Sequence, residues 1–343
     1  MQLRVVPFSR SFDTFGLTYS FDPKKWSEIE IGNVVQIPFK DQEIYGVIFD
    51  IFAELPEGTK AENIRNITDI IYSETLLSSE QIQLCSWIAE KYFTPIHSTL
   101  QVFLPKNLRE KIIKKKFQIP ENSQSNNKVG VSLCVDPKTG NKTINHTGQT
   151  HGSAPTDIAL SKKQEEIYQN IKNSTDTLQL LYGVTGSGKT RIYMKLIADN
   201  LQKNTQTLLL VPEILLTNQV AQSIERVFGE ENIVVLHSNV SEAKKTLYWQ
   251  QIYTGEKKII IGTRSALFYP YHTLGRIIID EEHDQSYISD NSPRYHAGKV
   301  AEYISKQKNI PLLYGSGTPS IQIMYRALKG EIELFQLLEK YRK

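Results

Sequence analysis

The chain has 343 residues, 40% of them hydrophobic, and its 40 basic against 37 acidic residues leave a net charge of +3. That composition fits two or three globular domains with ordinary cores, and so small a net charge means that nucleic-acid contact must come from local patches. No apolar stretch reaches the roughly 18 residues of a membrane span and no signal-peptide segment opens the chain, so no membrane partner and a cytoplasmic location are expected. The two cysteines, Cys85 and Cys134, form no C-x-x-C pair, which supports neither a disulfide framework nor a zinc site.

In chain order, residues 34–39 and 44–51 alternate as two strands around the polar turn Lys40-Asp41-Gln42-Glu43, predicting a small β-rich domain over 1–72. A helical pattern follows between Ser78 and Leu108, with Ser-Ser-Glu at its start and Ile82, Leu84, Cys85 and Ile88 at core spacing, predicting a helical module over 73–112. Residues 113–157 are crowded with Asn, Ser, Thr, Gly and Lys and predict a flexible linker. Its His146 and His151 have no further ligands beside them, so no metal site is read there.

From 158 to 343 short apolar runs at 178–182, 207–211, 233–236, 258–261, 276–279 and 311–314 alternate with amphipathic stretches such as Ile192, Leu196, Ile197 and Leu201. Six such runs predict a parallel sheet buried on both faces, an α/β lobe with ligands at the carboxyl ends of its strands. The first run leads into Gly183-Val184-Thr185-Gly186-Ser187-Gly188-Lys189-Thr190, a full match to the phosphate-binding loop G-x-x-x-x-G-K-[ST]. Its backbone N–H groups and the following helix start suit phosphates, Lys189 suits the β- and γ-phosphates of ATP, and Thr190 suits Mg. The run at 276–279 ends in Asp280-Glu281-Glu282-His283-Asp284. An apolar strand ending in Asp-Glu is the second half of an ATP-hydrolysing site: Asp280 to hold Mg through water, Glu281 to orient and deprotonate the attacking water. His283 lies too late in the motif to be the base and is read as a coupling residue.

Three further loops follow strands: Val211-Pro212-Glu213-Ile214, Gly262-Thr263-Arg264-Ser265 and Gly315-Ser316-Gly317-Thr318-Pro319-Ser320. Small polar groups and an arginine in such loops grip a phosphodiester backbone without reading bases, which favours a nucleic-acid motor over a kinase or GTPase.

The motif order G-V-T-G-S-G-K-T, L-V-P-E-I-x-L-T, G-T-R-S-A-L-F, D-E-E-H-D and G-S-x-T-P-S resembles the PriA family of primosomal replication-restart helicases in helicase superfamily 2. Ser11-Phe12-Asp13 and Gln36-Ile37-Pro38-Phe39 resemble that family's N-terminal 3′-end DNA-binding domain, and 87–96 resembles its winged-helix segment. The resemblance implies a RecA-like P-loop lobe preceded by a β-rich DNA-binding domain and a winged-helix module. It implies an ATP-dependent 3′ to 5′ DNA helicase that recognises stalled forks and D-loops. Implied partners are forked and single-stranded DNA, single-stranded DNA-binding protein, other primosome proteins and the replicative helicase. Residue by residue, it assigns Gln164 to adenine, Phe12 and Asp13 to the pocket for a DNA 3′ end, and His283 and Thr318 to coupling. Thr263, Arg264, Tyr287, Arg294 and Tyr295 fall to DNA, the last three in an aromatic-rich loop where bases can stack. The family's usual Tyr after that Asp and Gly after Pro-Phe are Thr14 and Lys40 here.

Motors of this superfamily enclose ATP between two lobes, and residues 321–343 are too few for a second lobe or its zinc-binding cysteines. The expectation is a fragment or truncated frame that binds ATP·Mg weakly and hydrolyses it poorly alone. Two other readings stay open: a different superfamily 2 DNA translocase subunit, and an ATP-independent scaffold that binds DNA structures.

Overall fold

A computed structural model describes residues 1–9, 16–26, 29–54, 64–72, 74–120, 158–213 and 220–340. Phe12, Asp13, nearly all of the expected linker and residues 214–219 lie outside them.

The N-terminal strands are β1 (Gln2–Pro7), β2 (Leu17–Ser20), β3 (Val34–Phe39), β4 (Gln42–Phe52) and β5 (Asp69–Ile70), paired antiparallel in the order β2-β1-β4-β3-β5. The expected hairpin is β3–β4: Phe39 pairs with Gln42, and Lys40 takes the left-handed conformation that a two-residue turn requires. One face of this sheet closes a small core of Leu3, Val5, Tyr19, Val35, Ile37 and Ile48.

Three helices follow, α1 (Ser79–Lys91), α2 (Ile96–Phe103) and α3 (Lys106–Ile113). Ser78 caps α1 in a reciprocal box with Gln81, which satisfies N–H groups that the first turn leaves open. No strand belongs to this segment among the described residues, so the winged-helix resemblance is represented by its helices alone. The helices pack on the lobe that follows: the Trp249 indole donates to the Phe103 carbonyl at 3.2 Å, and Trp87 stacks on Tyr303 at 4.5 Å.

The lobe runs α4 (Lys162–Asn173), β6 (Leu178–Gly183), α5 (Lys189–Gln202), β7 (Gln206–Leu210), α6 (Val220–Phe228), β8 (Ile233–Leu236), α7 (Glu242–Tyr253), β9 (Ile259–Gly262) and β10 (Leu274–Asp280). A short ladder of β11 (Ile288–Ser289) with β12 (Tyr295–His296) precedes α8 (Ala297–Lys308), β13 (Leu312–Ser316), α9 (Ile321–Leu328) and β14 (Glu333–Leu337). The main sheet is parallel throughout, in the order β14-β6-β13-β10-β7-β9-β8. Alternate residues feed opposite cores. Leu180, Leu208, Ile260, Ile277 and Leu312 face one, while Leu181, Leu209, Ile261, Ile278 and Leu313 face the other.

The sheet has seven strands where the sequence pattern predicts six. The seventh, β14, is an edge strand whose Glu-Leu-Phe-Gln-Leu alternation reads as half-exposed surface. It matters because Val184 of the phosphate loop donates its N–H to the Leu337 carbonyl at 3.2 Å.

Candidate ATP and DNA site

The strand order places the end of β13 between β6, which opens into the phosphate loop, and β10, which ends in the acidic motif. The phosphate loop, the acidic motif and the Gly-Ser-Gly-Thr-Pro-Ser loop therefore lie at the carboxyl ends of three neighbouring strands.

Within the loop, Gly186 and Gly188 have positive φ, of 80° and 84°, so the chain can turn sharply and start α5 at Lys189. Gly188 offers no side-chain cap, which leaves the first N–H groups of α5 directed at the loop. The Ser187 hydroxyl is buried without a protein partner. An uncapped helix start beside an orphan hydroxyl and a buried ammonium fits a bound anion such as a polyphosphate.

Gln164 is buried, with its amide donating to the Ser187 carbonyl at 2.8 Å and accepting from the Ser161 N–H at 2.9 Å. In this conformation the amide braces the phosphate loop. Lys189, 8% exposed, donates to the Gly183 carbonyl at 2.9 Å and meets the Glu281 carboxylate at 3.4 Å. Asp280, 6% exposed, accepts from the Tyr193 hydroxyl at 2.9 Å. Burial, followed by the charge of Glu281, pushes its carboxyl up to about 6, against the pull of Tyr193 and Lys189. Thr190 sits half-buried in the first turn of α5.

Glu281 holds a left-handed backbone, φ 45°, which an L-residue adopts at some cost and which turns its side chain between Lys189 and His283. Nδ1 of His283 lies 2.9 Å from the Ser316 hydroxyl and 3.7 Å from Glu281, and Nε2 lies 3.3 Å from the Thr318 hydroxyl. Ser316 already accepts from the Thr318 N–H at 3.0 Å. A hydroxyl both donates and accepts, so Ser316 and Thr318 can serve either tautomer of the ring. His283 joins the acidic motif to the Gly-Ser-Gly-Thr-Pro-Ser loop.

Glu282, which the sequence reading passed over, makes a second bridge: it accepts from Ser320 N–H at 3.0 Å and Oγ at 2.7 Å. Ser320 also caps α9 by accepting from Ile323 N–H. Ser320→Ala is expected to cost about 1–2 kcal/mol, from a lost cap and a half-satisfied carboxylate; urea unfolding measures it, and a loss below a few tenths would show that the bridge is unimportant. Glu281 has a role legible from its place at the strand end, whereas the Ser320 partner of Glu282 lies 38 residues away and emerges only in three dimensions.

Among the residues assigned to DNA, Thr263 and Arg264 follow β9. The Arg264 guanidinium is turned inward onto the Ser286 carbonyl and Tyr295, tying this turn to the acidic loop. Tyr287 and Tyr295 require correction as base-stacking groups. They are 1% and 5% exposed, and the Tyr287 hydroxyl donates to the Asp280 carbonyl at 2.6 Å. Both rings belong to the core, Tyr295 edge-on to Phe268 at 5.0 Å. Arg294 remains exposed, with Nε on the Asp290 carbonyl.

A parallel sheet with a phosphate loop, an Asp-Glu strand end and a histidine bridge to the next loop defines a RecA-like nucleotide-binding lobe of helicase type. The DEAD/DEAH box helicase family matches residues 161–325, and the 3′DNA-binding domain (3′BD) of PriA matches residues 6–105. The replication restart protein PriA of Rickettsia felis is 33% identical over 313 residues, covering 91% of this chain and 43% of that protein. Its counterpart in Helicobacter pylori is 44% identical over 172 residues, covering 50% of this chain and 27% of that protein. The helicase domain of Pyrococcus furiosus Hef aligns with a TM-score of 0.41 at 23% identity, over 52% of this chain and 38% of that one. Over nearly its whole length the chain is similar to replication restart proteins PriA, and it spans about half the length of the curated relatives it matches. No helix among the described residues is long and apolar enough to cross a membrane.

Proposed function

We propose that this chain is the DNA- and ATP-binding N-terminal half of a replication-restart DNA helicase, acting in the cytoplasm on stalled forks and D-loops with 3′ to 5′ polarity. Its proposed partners are forked and single-stranded DNA and, through the family, primosome proteins, single-stranded DNA-binding protein and the replicative helicase. Phe12 and Asp13 would receive a 3′ end, and Thr263, Arg264 and Arg294 would serve the backbone.

In the lobe, the backbone N–H groups from Gly183 to Gly188 and the ammonium of Lys189 receive the phosphates of ATP. Thr190 and Asp280 would hold Mg, which supplies charge neutralisation at the β- and γ-phosphates. Lys189 and Glu281 neutralise each other in the free protein. Phosphate that claims the ammonium releases Glu281 to act as base toward water. The observation carrying this reading is His283, which touches Glu281 on one side and Ser316 and Thr318 on the other, so a change at the carboxylate reaches a backbone-gripping loop.

The test is single-stranded DNA affinity with and without ATP·Mg, read by fluorescence anisotropy. Saturating nucleotide is expected to change the affinity about fivefold or more, the lower range of allosteric coupling, and Lys189→Ala is expected to abolish the change while leaving nucleotide-free binding intact. Equal affinities in both conditions for the unaltered chain would sink the coupled-motor reading in favour of an ATP-independent scaffold.

A further inference from the structure

Correcting the two buried tyrosines leaves the aromatic-rich loop without a stacking surface of its own, and the neighbouring helical module supplies one. Phe93 lies in the turn between α1 and α2 and is 95% exposed, the highest exposure among the large apolar side chains of the described residues. Its backbone is left-handed, φ 49°, a conformation that bulky residues rarely adopt. The turn is nonetheless held firmly: Phe93 N–H donates to the Glu90 carbonyl, Thr94 N–H to the Ala89 carbonyl at 3.0 Å, and Pro95 fixes the start of α2. A strained, well-fixed turn that presents a whole aromatic ring to solvent contributes nothing to the core. Such strain persists where a site uses it.

The position of the turn points to what the ring meets. Tyr92, the preceding residue, accepts a hydrogen bond from His296 N–H at 3.3 Å, which seats the turn against the end of the β11–β12 loop. Tyr92, Arg294, Tyr295 and His296 line one open hollow with a volume of about 420 Å³. The Lys91 ammonium lies over the Trp87 ring at 5.5 Å, and exposed Arg294 shares the hollow with Asp290. Phe93 falls inside the segment matched by a DNA-binding domain, and Arg294 inside the segment matched by a helicase domain. An exposed aromatic face at the seam of two such modules, one residue from the hollow that holds Arg294, has the chemistry of a stacking platform for an unpaired base.

We infer that Phe93 is a base-stacking residue for single-stranded DNA where the helical module meets the lobe, a role that rests on the DNA-binding reading above. The ring takes the face of any base, so the contact carries no sequence preference.

The experiment titrates the full chain with fluorescein-labelled oligo-dT, and with the same length carrying abasic sites, at one fixed salt concentration. Phe93→Ala is expected to bind oligo-dT about tenfold more weakly, within the range of one lost base–aromatic stack. The abasic strand is expected to weaken binding by the unaltered chain but to cost Phe93→Ala little more, because both changes remove the same contact. Phe93→Trp is expected to recover affinity. Phe93→Gly, which suits the left-handed backbone, is expected to bind as weakly as Phe93→Ala at an undiminished melting temperature, separating the ring from the fold. Unchanged affinity of Phe93→Ala in a chain that binds oligo-dT overturns this inference alone. Failure of the unaltered chain to bind any single strand overturns the DNA-binding reading with it.

Discussion

Gly315→Ala is expected to destabilise the lobe by about 2–4 kcal/mol, as overpacking of a buried site together with the hydrogen bond it breaks. Gly315 lies on β13 against the side chain of Tyr193, and a Cβ there would stand 1.7 Å from the Tyr193 hydroxyl and 2.8 Å from its ring carbon. Neither side can yield cheaply. Tyr193 is fully buried in α5, and its hydroxyl is the hydrogen-bond donor to Asp280. Displacing it leaves a buried carboxylate without its donor and widens the gap between the phosphate-loop helix and the acidic motif. Urea unfolding reads the loss, and the double variant Gly315→Ala/Tyr193→Phe is expected to be less unstable than the two single losses added, because both act through one contact. Strict additivity, or a loss under about 0.5 kcal/mol, would show that β13 moves aside and that the close approach does not fix the site.

This tight packing was beyond the reach of the sequence, where Gly315 reads as the first residue of a Gly-Ser-Gly-Thr-Pro-Ser loop suited to a phosphodiester backbone. What was legible there had a local cause. The phosphate loop is contiguous, its Gly186 and Gly188 take the left-handed conformation that the sharp turn requires, and the apolar run before it reads as a buried strand. Asp280 and Glu281 were legible because a parallel strand buried on both faces must deliver the residues at its carboxyl end to the same edge as the phosphate loop.

What was not legible depends on distant partners. Tyr287 and Tyr295 carry amphipathic side chains that serve a base or a core equally well, and the choice rests on partners that the fold brings to them, such as Phe268. Strand β14 alternates polar and apolar residues because it lies at an edge, so it lacks the continuous apolar run that marked the other six. The resemblance assigns Gln164 to adenine, but its contact with the Ser187 carbonyl comes only from the fold. The three-residue spacing from Ser161 to Gln164 did hold a signal, since a serine followed three positions later by glutamine is a capping box, and such a box anchors the amide near the loop.

Asp280→Asn is expected to stabilise the nucleotide-free protein by about 3 kcal/mol at pH 8 while removing its response to ATP·Mg. The carboxyl is pushed from 3.8 up to about 6 in the fold, chiefly by burial. A raised acid binds its proton more tightly folded than unfolded, so the fold takes up a proton between about pH 4 and 6 and stability falls as pH rises through that window. Above it the full penalty of the buried charge is present; below the unfolded value it is gone. Asparagine keeps the acceptor for Tyr193 without the charge, so its advantage should be largest at pH 8, about half as large at pH 5, and about a fifth as large at pH 4. On the proposed reading Asp280 would help to hold Mg, so the substitution is expected to abolish the rise in melting temperature expected of the unaltered chain with ATP·Mg. Melting curves of both proteins across this pH range, with and without ATP·Mg, provide the measurement. A variant less stable than the unaltered chain at pH 8 would mean that Lys189 and Tyr193 more than offset the burial of Asp280. The opposite result makes the acidic motif a site whose stability is spent in advance and recovered when the nucleotide and its metal bind.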